Sequence, residues 1–227
     1  MISCIIPCYN EEERVKDVIN VVTSHELISE VIVVDDGSDE KTKSILRSLK
    51  HEKLKVLFLN KNMGKAYAVY HGTKNAKNDL VLLLDADLIN LKKEHIDSLI
   101  APIINKEAHV SMSLRKNALL INKIFGIDPV SGERCLKKDI LLALDNLENL
   151  RFGLETKINL HILKNNLKYK IVKIDAISPR KKIKHGFLRG SLNDIKMIYE
   201  IIKKVGFVGF LKGYFIMLIK HKIKTKN

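Results

Sequence analysis

Apolar positions fall in short blocks that alternate between two periods. Residues 2–8 (ISCIIPC) form an almost unbroken apolar run containing Pro7, the pattern of a parallel strand covered on both faces. Val15, Val18, Ile19 and Val22 follow at helical spacing and predict one apolar helix face, with Asn10 as its cap and Glu13 completing a capping box. Residues 30–35 (EVIVVD) read as a second strand ended by Gly37-Ser38, and Ser38 is expected to cap a helix carrying Ile45, Leu46 and Leu49. A third strand spans 55–59. Asn62-Met63-Gly64 then turns into a helix through Ala66 and Val69, and a fourth strand, 80–84, stops at Asp85. Repeated strand–helix alternation predicts an α/β domain with a mostly parallel, doubly wound (Rossmann-like) sheet flanked by helices. Ligands of such sheets sit at the carboxyl ends of the strands. Those ends are Tyr9-Asn10, Asp35-Asp36, Asn60 and Asp85.

The second half is less periodic. Residues 91–104 predict a helix and 108–114 a strand, whereas 115–135 show no clear period. Helices are expected at 136–146 and 153–165, a strand at 168–174 and an amphipathic helix at 191–204. Residues 205–219 (VGFVGFLKGYFIMLI) carry one charge, Lys212. As a helix this segment is about 22 Å long, short of the roughly 20 residues needed to cross a bilayer. It is expected to lie on a membrane with Phe207, Phe210, Tyr214 and Phe215 at the interface. Packing on the body or a homodimer contact are the alternatives. The chain therefore divides into an α/β domain, 1–179, and a basic loop with amphipathic C-terminal helices, 180–227.

Charge sharpens that division. The 227 residues carry a net +14, of which the first 179 contribute only +3. From Arg180 onward 13 Lys or Arg stand against Asp194 and Glu200. Such a tail suits an anionic partner, whether a membrane surface, a phosphorylated substrate or nucleic acid. The charge lies beside an apolar helix and no nucleic-acid recognition motif is present, so no nucleic-acid partner is expected. Cys4, Cys8 and Cys135 are an odd set without framework spacing and are expected to be free thiols. No basic leader precedes the first strand, so a cytoplasmic location is expected, peripheral on the inner face of the plasma membrane.

The strand ends carry the chemistry. Asp85-Ala86-Asp87 puts two carboxylates two residues apart after a buried strand. In extended geometry both face one divalent cation or one sugar nucleotide. Hard carboxylate oxygens suit Mg²⁺ or Mn²⁺. Asp35-Asp36-Gly37-Ser38 ends another strand, where a carboxylate can accept from a nucleobase or ribose. Asn62-Met63-Gly64-Lys65 opens a helix with backbone N–H groups and a cation, a pattern suited to an anion.

Taken together these segments resemble the family-two glycosyltransferases. The resemblance rests on Ile5-Ile6-Pro7-Cys8-Tyr9-Asn10-Glu11-Glu12, Val31-Ile32-Val33-Val34-Asp35-Asp36-Gly37-Ser38, Asn62-Met63-Gly64-Lys65 and Leu83-Leu84-Asp85-Ala86-Asp87, in the family's order. It implies a GT-A fold, a UDP- or GDP-sugar donor and Mg²⁺ or Mn²⁺. It places Pro7, Tyr9, Asn10 and Glu11 in the nucleotide pocket and Asp36 on the base. Gly64 and Lys65 would lie near base or phosphate, Asp85 and Ala86 near ribose or metal, and Asp87 on the metal through the diphosphate. Val130-Ser131-Gly132-Glu133-Arg134-Cys135-Leu136 is similar to the Ser-Gly-x-Arg segment of polyprenyl-phosphate sugar transferases and glucosyl-phosphoglycerate synthases. That likeness implies acceptor contacts from Ser131, Gly132 and Arg134. Phe152-Gly153-Leu154-Glu155 looks like the family's acidic helix start, which makes Glu155 the candidate general base. His185, in a late basic loop with Arg180, Lys181, Lys182 and Lys184, is the candidate second metal ligand. The implied acceptor is a membrane lipid phosphate such as polyprenyl phosphate, with a small soluble phosphorylated or cell-wall acceptor as runner-up. A nucleotidyltransferase, which shares the α/β core, would normally show a Gly-rich turn where Pro7-Cys8-Tyr9-Asn10 stands.

Overall fold

A computed structural model of the chain describes residues 1–12, 14–151, 153–179, 203 and 206–219. Seven strands form one sheet in the order β3-β2-β1-β4-β6-β5-β7. They are β1 (Ile2–Cys8), β2 (Ile28–Asp35), β3 (Leu54–Phe58), β4 (Leu80–Leu83), β5 (Val110–Arg115), β6 (Arg134–Lys137) and β7 (Tyr169–Ile174). β1, β2, β3 and β4 pair in parallel, as do β5 and β7, while β6 runs antiparallel between β4 and β5. The mostly parallel sheet expected from the alternation is therefore present, with one reversed strand.

Alternation along the strands supplies two cores. Cys4, Ile6 and Cys8 of β1 and Val31 and Val33 of β2 face a layer built by α1 (Val15–Thr23), α2 (Glu40–Ser48) and α4 (Lys93–Ile104). Ile5, Ile32 and Val34 face the opposite layer, formed by α3 (Lys65–Asn75), α6 (Lys138–Leu142) and α7 (Leu154–Lys164). A strand buried on both sides needs apolar residues at every position, which is why β1 and β2 read as runs. The three cysteines are free and buried. Burial pushes the Cys135 thiol up to about 12 and the Cys4 thiol higher still, so both are inert at neutral pH.

The structure departs from the sequence reading in four places. Asn10 does not cap α1. It sits in the left-handed region (φ 49°), and its Oδ1 accepts from the Asp39 N–H at 2.9 Å. Ser38 does not cap α2, because Asp39 does so by accepting from the Thr42 N–H; the Ser38 hydroxyl instead accepts from the Asn10 N–H at 2.9 Å. Residues 136–146 are not one helix: they begin in β6, pass through the short α6 and end before a 3₁₀ turn at Leu147–Asn149. Cys135 and Leu136 are fully buried on opposite faces of the sheet, a strand requirement that overrides the helical spacing. Within the aperiodic stretch lies a short helix, α5 (Leu120–Phe125).

The C-terminal segment forms α8 (Phe207–Leu211) and continues through a wide π-type turn, Lys212–Ile216. It packs on α7 instead of standing alone. Met217 and Leu218 are buried in the same core as Leu154 and Ile158. Asn159 Nδ2 donates to the Gly213 carbonyl at 3.0 Å, and Tyr214, expected at a membrane interface, donates its hydroxyl proton to Asn122 Oδ1 at 2.7 Å. Phe215 remains exposed. The side chains of Phe207 and Phe210, the expected helix at 191–204 and the basic residues 220–227 lie outside what is described. Among the described residues, no helix is long and apolar enough to cross a membrane.

Candidate active site

The loops after β1, β2 and β4 and the start of α3 are tied into one rim. The Asp36 N–H donates to the Cys8 carbonyl at 2.8 Å, and the Asn10–Ser38 and Asn10–Asp39 bonds join the two loops again. Pro7 is partly buried at the end of β1, and Tyr9 stands half-exposed on the rim. Glu11 is buried and accepts from Arg14 Nη1 at 3.1 Å. Asp36 Oδ1 and Oδ2 accept from the N–H groups of Met63 and Gly64 at 2.7 and 2.8 Å. Burial holds the Asp36 carboxyl above its ordinary range, with those two N–H groups offsetting part of the effect. Asp36 thus latches β2 to the head of α3. Asp35 accepts from the Ser38 N–H through Oδ2, while its buried Oδ1 has no hydrogen-bond partner among the described residues. Gly64 (φ +98°) presses on Arg151, where a Cβ would lie 2.5 Å from the Arg151 Cα. A side chain there is excluded by both conformation and space.

Past that latch, Lys65 reaches the centre of the site. Its Nζ lies 2.6 Å from Asp85 Oδ1 and 2.8 Å from Glu155 Oε1, joining the end of β4 to the first turn of α7. Burial alone would lower the Lys65 ammonium, but Asp85 and Glu155 outweigh it and hold the proton more tightly than usual. Asp85 is the converse: burial works to raise its carboxyl, but Lys65 and Arg115 bring it below the ordinary range. Gly132 packs directly on this pair. A Cβ on Gly132 would stand 2.5 Å from Lys65 Nζ and 2.7 Å from Asp85 Oδ1. Ala86, the middle residue of the acidic turn, is buried.

The segment before β6 is held from behind by buried ionic contacts. The Ser113 and Ser131 hydroxyls each donate to Glu133 Oε2 at 2.6 Å. Arg134 is fully buried: Nε donates to the Ser131 carbonyl, Nη2 to the Pro129 carbonyl and Nη1 to Asn159 Oδ1, at 2.8–2.9 Å. All three guanidinium nitrogens are thus engaged inside the protein, and Arg134 is not a surface of the cleft. The sequence reading passed over the cation that does border it. Arg115, at the end of β5, lies 3.4 Å from Asp128 Oδ2, 3.5 Å from Glu133 Oε1 and 3.9 Å from Asp85 Oδ2. Burial works against its charge, yet Glu133 and Asp85 hold it protonated, and its buried Nε has no hydrogen-bond partner among the described residues. Its position at a strand's carboxyl end was the available signal.

Asp87 is partly buried, and Ser178 Oγ donates to its Oδ1 at 3.4 Å. The segment carrying Ser178 is fixed by the Ile89–Ile177 bridge and by Asn117, which donates to the Ser178 carbonyl. Asp85 is already neutralised by two cations. The Asp87 carboxylate is a hard oxygen donor of the kind that suits Mg²⁺ or Mn²⁺. Among the described residues, no three His, Cys, Asp or Glu side chains converge to hold a metal. His185 lies outside the described residues.

Comparison with known proteins places this geometry. The family described as Glycosyl transferase family 2 matches residues 3–124, just over half of the chain. An undecaprenyl-phosphate 4-deoxy-4-formamido-L-arabinose transferase of Aeromonas hydrophila is 38% identical over 101 residues, covering 41% of this chain and 31% of that protein. A dolichyl-phosphate beta-glucosyltransferase of Trichomonas vaginalis is 35% identical over 97 residues, covering 38% and 30%. The chain thus spans about a third of the length of these relatives. In three dimensions it is similar to glucosyl-3-phosphoglycerate synthase of Mycobacterium tuberculosis, solved with Mn²⁺, UDP and phosphoglyceric acid. The TM-score is 0.70 at 19% identity, over 89% of this chain and 78% of that one. That likeness shows the shared GT-A fold. With the matched segments in family order at the carboxyl ends of the strands, the chain belongs to glycosyl transferase family 2.

Proposed function

We propose that the chain transfers a sugar from a nucleoside-diphosphate sugar to a phosphate-bearing acceptor, a membrane lipid phosphate of the polyprenyl type. One observation carries this reading: Lys65 draws Asp85 and Glu155 onto a single ammonium at the carboxyl ends of the strands, with Gly132 packed against them. In this reading the nucleotide lies along the rim from Tyr9 past Asp36. Lys65 turns from its carboxylates to the incoming diphosphate, and Asp85 orients the ribose. Asp87 holds the divalent cation, which when bound neutralises charge on the departing diphosphate. Manganese or magnesium accompanies UDP in solved structures of similar fold, which supports that assignment.

Glu155 is freed when Lys65 turns away and is left beside the acceptor. A phosphate acceptor is already anionic, so Glu155 orients it more than it deprotonates it; for a hydroxyl acceptor the same carboxylate is the general base. Arg115, 3.9 Å from Asp85, is a second cation of the cleft for an acceptor phosphate. The relatives named for undecaprenyl and dolichyl phosphate favour the lipid acceptor. A soluble phosphorylated acceptor shares the recognition chemistry.

The test is turnover of UDP- and GDP-sugars with Mn²⁺ and a short-chain polyprenyl phosphate, following nucleoside diphosphate release and the glycolipid. Transfer is expected, with Asp87→Ala reducing kcat by at least about a hundredfold at unchanged thermal stability. Full activity of Asp87→Ala, or no turnover of any nucleotide sugar, removes the reading. Transfer to a phosphorylated small molecule but to no lipid phosphate moves the acceptor to the soluble class.

A further inference from the structure

We infer that α5 and the C-terminal helical segment together form a bilayer-docking face beside the cleft, and that its partner is an anionic lipid surface. The argument begins with an inverted helix. α5 buries its polar Asn122 (1% exposed) and turns outward Leu120 (74%) and Ile124 (63%), which are four residues apart and so share one face. Leu119 and Ile121 flank them, also exposed. A surface helix in water does the reverse. The C-terminal segment adds exposed apolar side chains of its own: Val208, Phe215 and Ile219 are exposed, whereas Gly213, Met217 and Leu218 are buried. The Tyr214–Asn122 hydrogen bond ties the two elements, which brings their exposed apolar residues into one region of the molecule.

Charge selects the occupant. In the β5–β6 connection, the acids Asp128 and Glu133 are buried, while Lys116 and Lys123 are exposed. The chain continues past Ile219 into a sequence with Lys220, Lys222, Lys224 and Lys226 and no acid. Apolar residues rimmed by cations fit an interface where aliphatic side chains enter the acyl boundary and lysines meet anionic head groups. Position selects the purpose. The connection that carries α5 also carries Gly132, whose Cα packs on Lys65 and Asp85. A lipid phosphate arriving at this face therefore reaches the cleft with its chain still in the bilayer. That last step rests on the lipid-acceptor reading above; the docking face itself does not.

Co-sedimentation with vesicles of phosphatidylcholine and phosphatidylglycerol, containing no polyprenyl phosphate, separates the two. The wild-type chain is expected to bind these vesicles, less at high salt, and to ignore phosphatidylcholine alone. Leu120→Ser/Ile124→Ser is expected to lower the bound-to-free ratio about tenfold. Its melting temperature and its turnover of a water-soluble, short-chain acceptor should stay at the wild-type level. Phe215→Ser tests the second element in the same way. Unchanged vesicle binding in both variants overturns the inference. So does a wild-type dimer that Leu120→Ser/Ile124→Ser dissociates while vesicles are not bound. Binding that follows α5 with no transfer to any lipid phosphate upholds the docking face and sinks the acceptor reading instead.

Discussion

At Lys65 one ammonium satisfies two carboxylates from residues far apart in sequence, and the sign of each pKa shift follows from that geometry. Asp85 lies below its ordinary range because Lys65 and Arg115 overcome the cost of its burial. A depressed acid stabilises the fold above its unfolded pKa, about 3.9, and that stability is lost as pH falls through the lower folded value. In Lys65→Met the ammonium is gone, burial acts on Asp85 with only Arg115 left to oppose it, and that carboxyl rises. The penalty is then present at neutral pH and relieved on acidification. We expect Lys65→Met to be destabilised by about 2 kcal/mol at pH 7, discounted for partial exposure. It should recover part of that loss between neutrality and about pH 4.5, where the wild-type chain gains nothing from this pair. Urea midpoints across pH give the comparison, and parallel curves for the two proteins would contradict it. Gly132 makes the companion prediction. Alanine there pushes a methyl into the Lys65–Asp85 contact. Lys65 is flexible and can give way at little cost to the fold, so Gly132→Ala should lose at least about tenfold in kcat/KM while its stability moves by under about 1 kcal/mol.

Elements decide which of the sequence's arginines is structural. β6 is inserted antiparallel between β4 and β5, and Arg134, at its first position, clamps the preceding turn through two carbonyls and Asn159 of α7. Lysine cannot supply that fork, so Arg134→Lys leaves buried acceptors unpaired and is expected to cost about 3 kcal/mol in denaturant unfolding. An arginine that served only to hold an acceptor phosphate would raise the acceptor KM in that variant and leave stability unchanged. The same element explains where the sequence was readable. β1, β2 and β4 declare themselves because both their faces are buried, and Asp85 and Lys65 were found because they stand at strand and helix ends. α5 is invisible to periodicity because its apolar side faces outward and its asparagine faces in. β6 is too short for alternation to register, and nothing in the aperiodic stretch marks Asp128 and Glu133 as the acids that the fold buries against Arg115. The caps assigned to Asn10 and Ser38 failed for a related reason. Each side chain meets the other's loop, a contact 28 or 29 residues apart that no local rule contains. Arg115 was missed because the strand expected at 108–114 stops one residue short of it, whereas β5 runs over Val110–Arg115.

For the molecule as a whole, the sheet is covered on one face by α1, α2 and α4 and on the other by α3, α6 and α7, and the second cover is completed by the C-terminal segment. Met217 and Leu218 are buried against it, and Gly213 lets the helix approach so closely that a Cβ would meet Thr156 Cγ2 at 2.8 Å. α7 therefore has two dependents. Its first turn presents Glu155 to Lys65, and the next residue, Thr156, is the floor on which Gly213 sits. Gly213→Leu cannot be absorbed by a flexible side-chain end, because the Thr156 carbonyl also lies within 3.3 Å of the added Cβ. The segment must lift or α7 must shift. Lifting exposes Met217 and Leu218 and breaks the Tyr214–Asn122 tether, at a cost of about 2–3 kcal/mol. Hydrogen exchange then rises across 206–219 and across α5, while the strands keep their protection, since stability is lost locally before it is lost globally. A shift of α7 instead moves Glu155 from Lys65, and exchange at the start of α3 rises as well, with loss of transfer. Exchange unchanged in all three regions would show that Gly213 makes no such contact and that the C-terminal segment does not depend on α7 for its place.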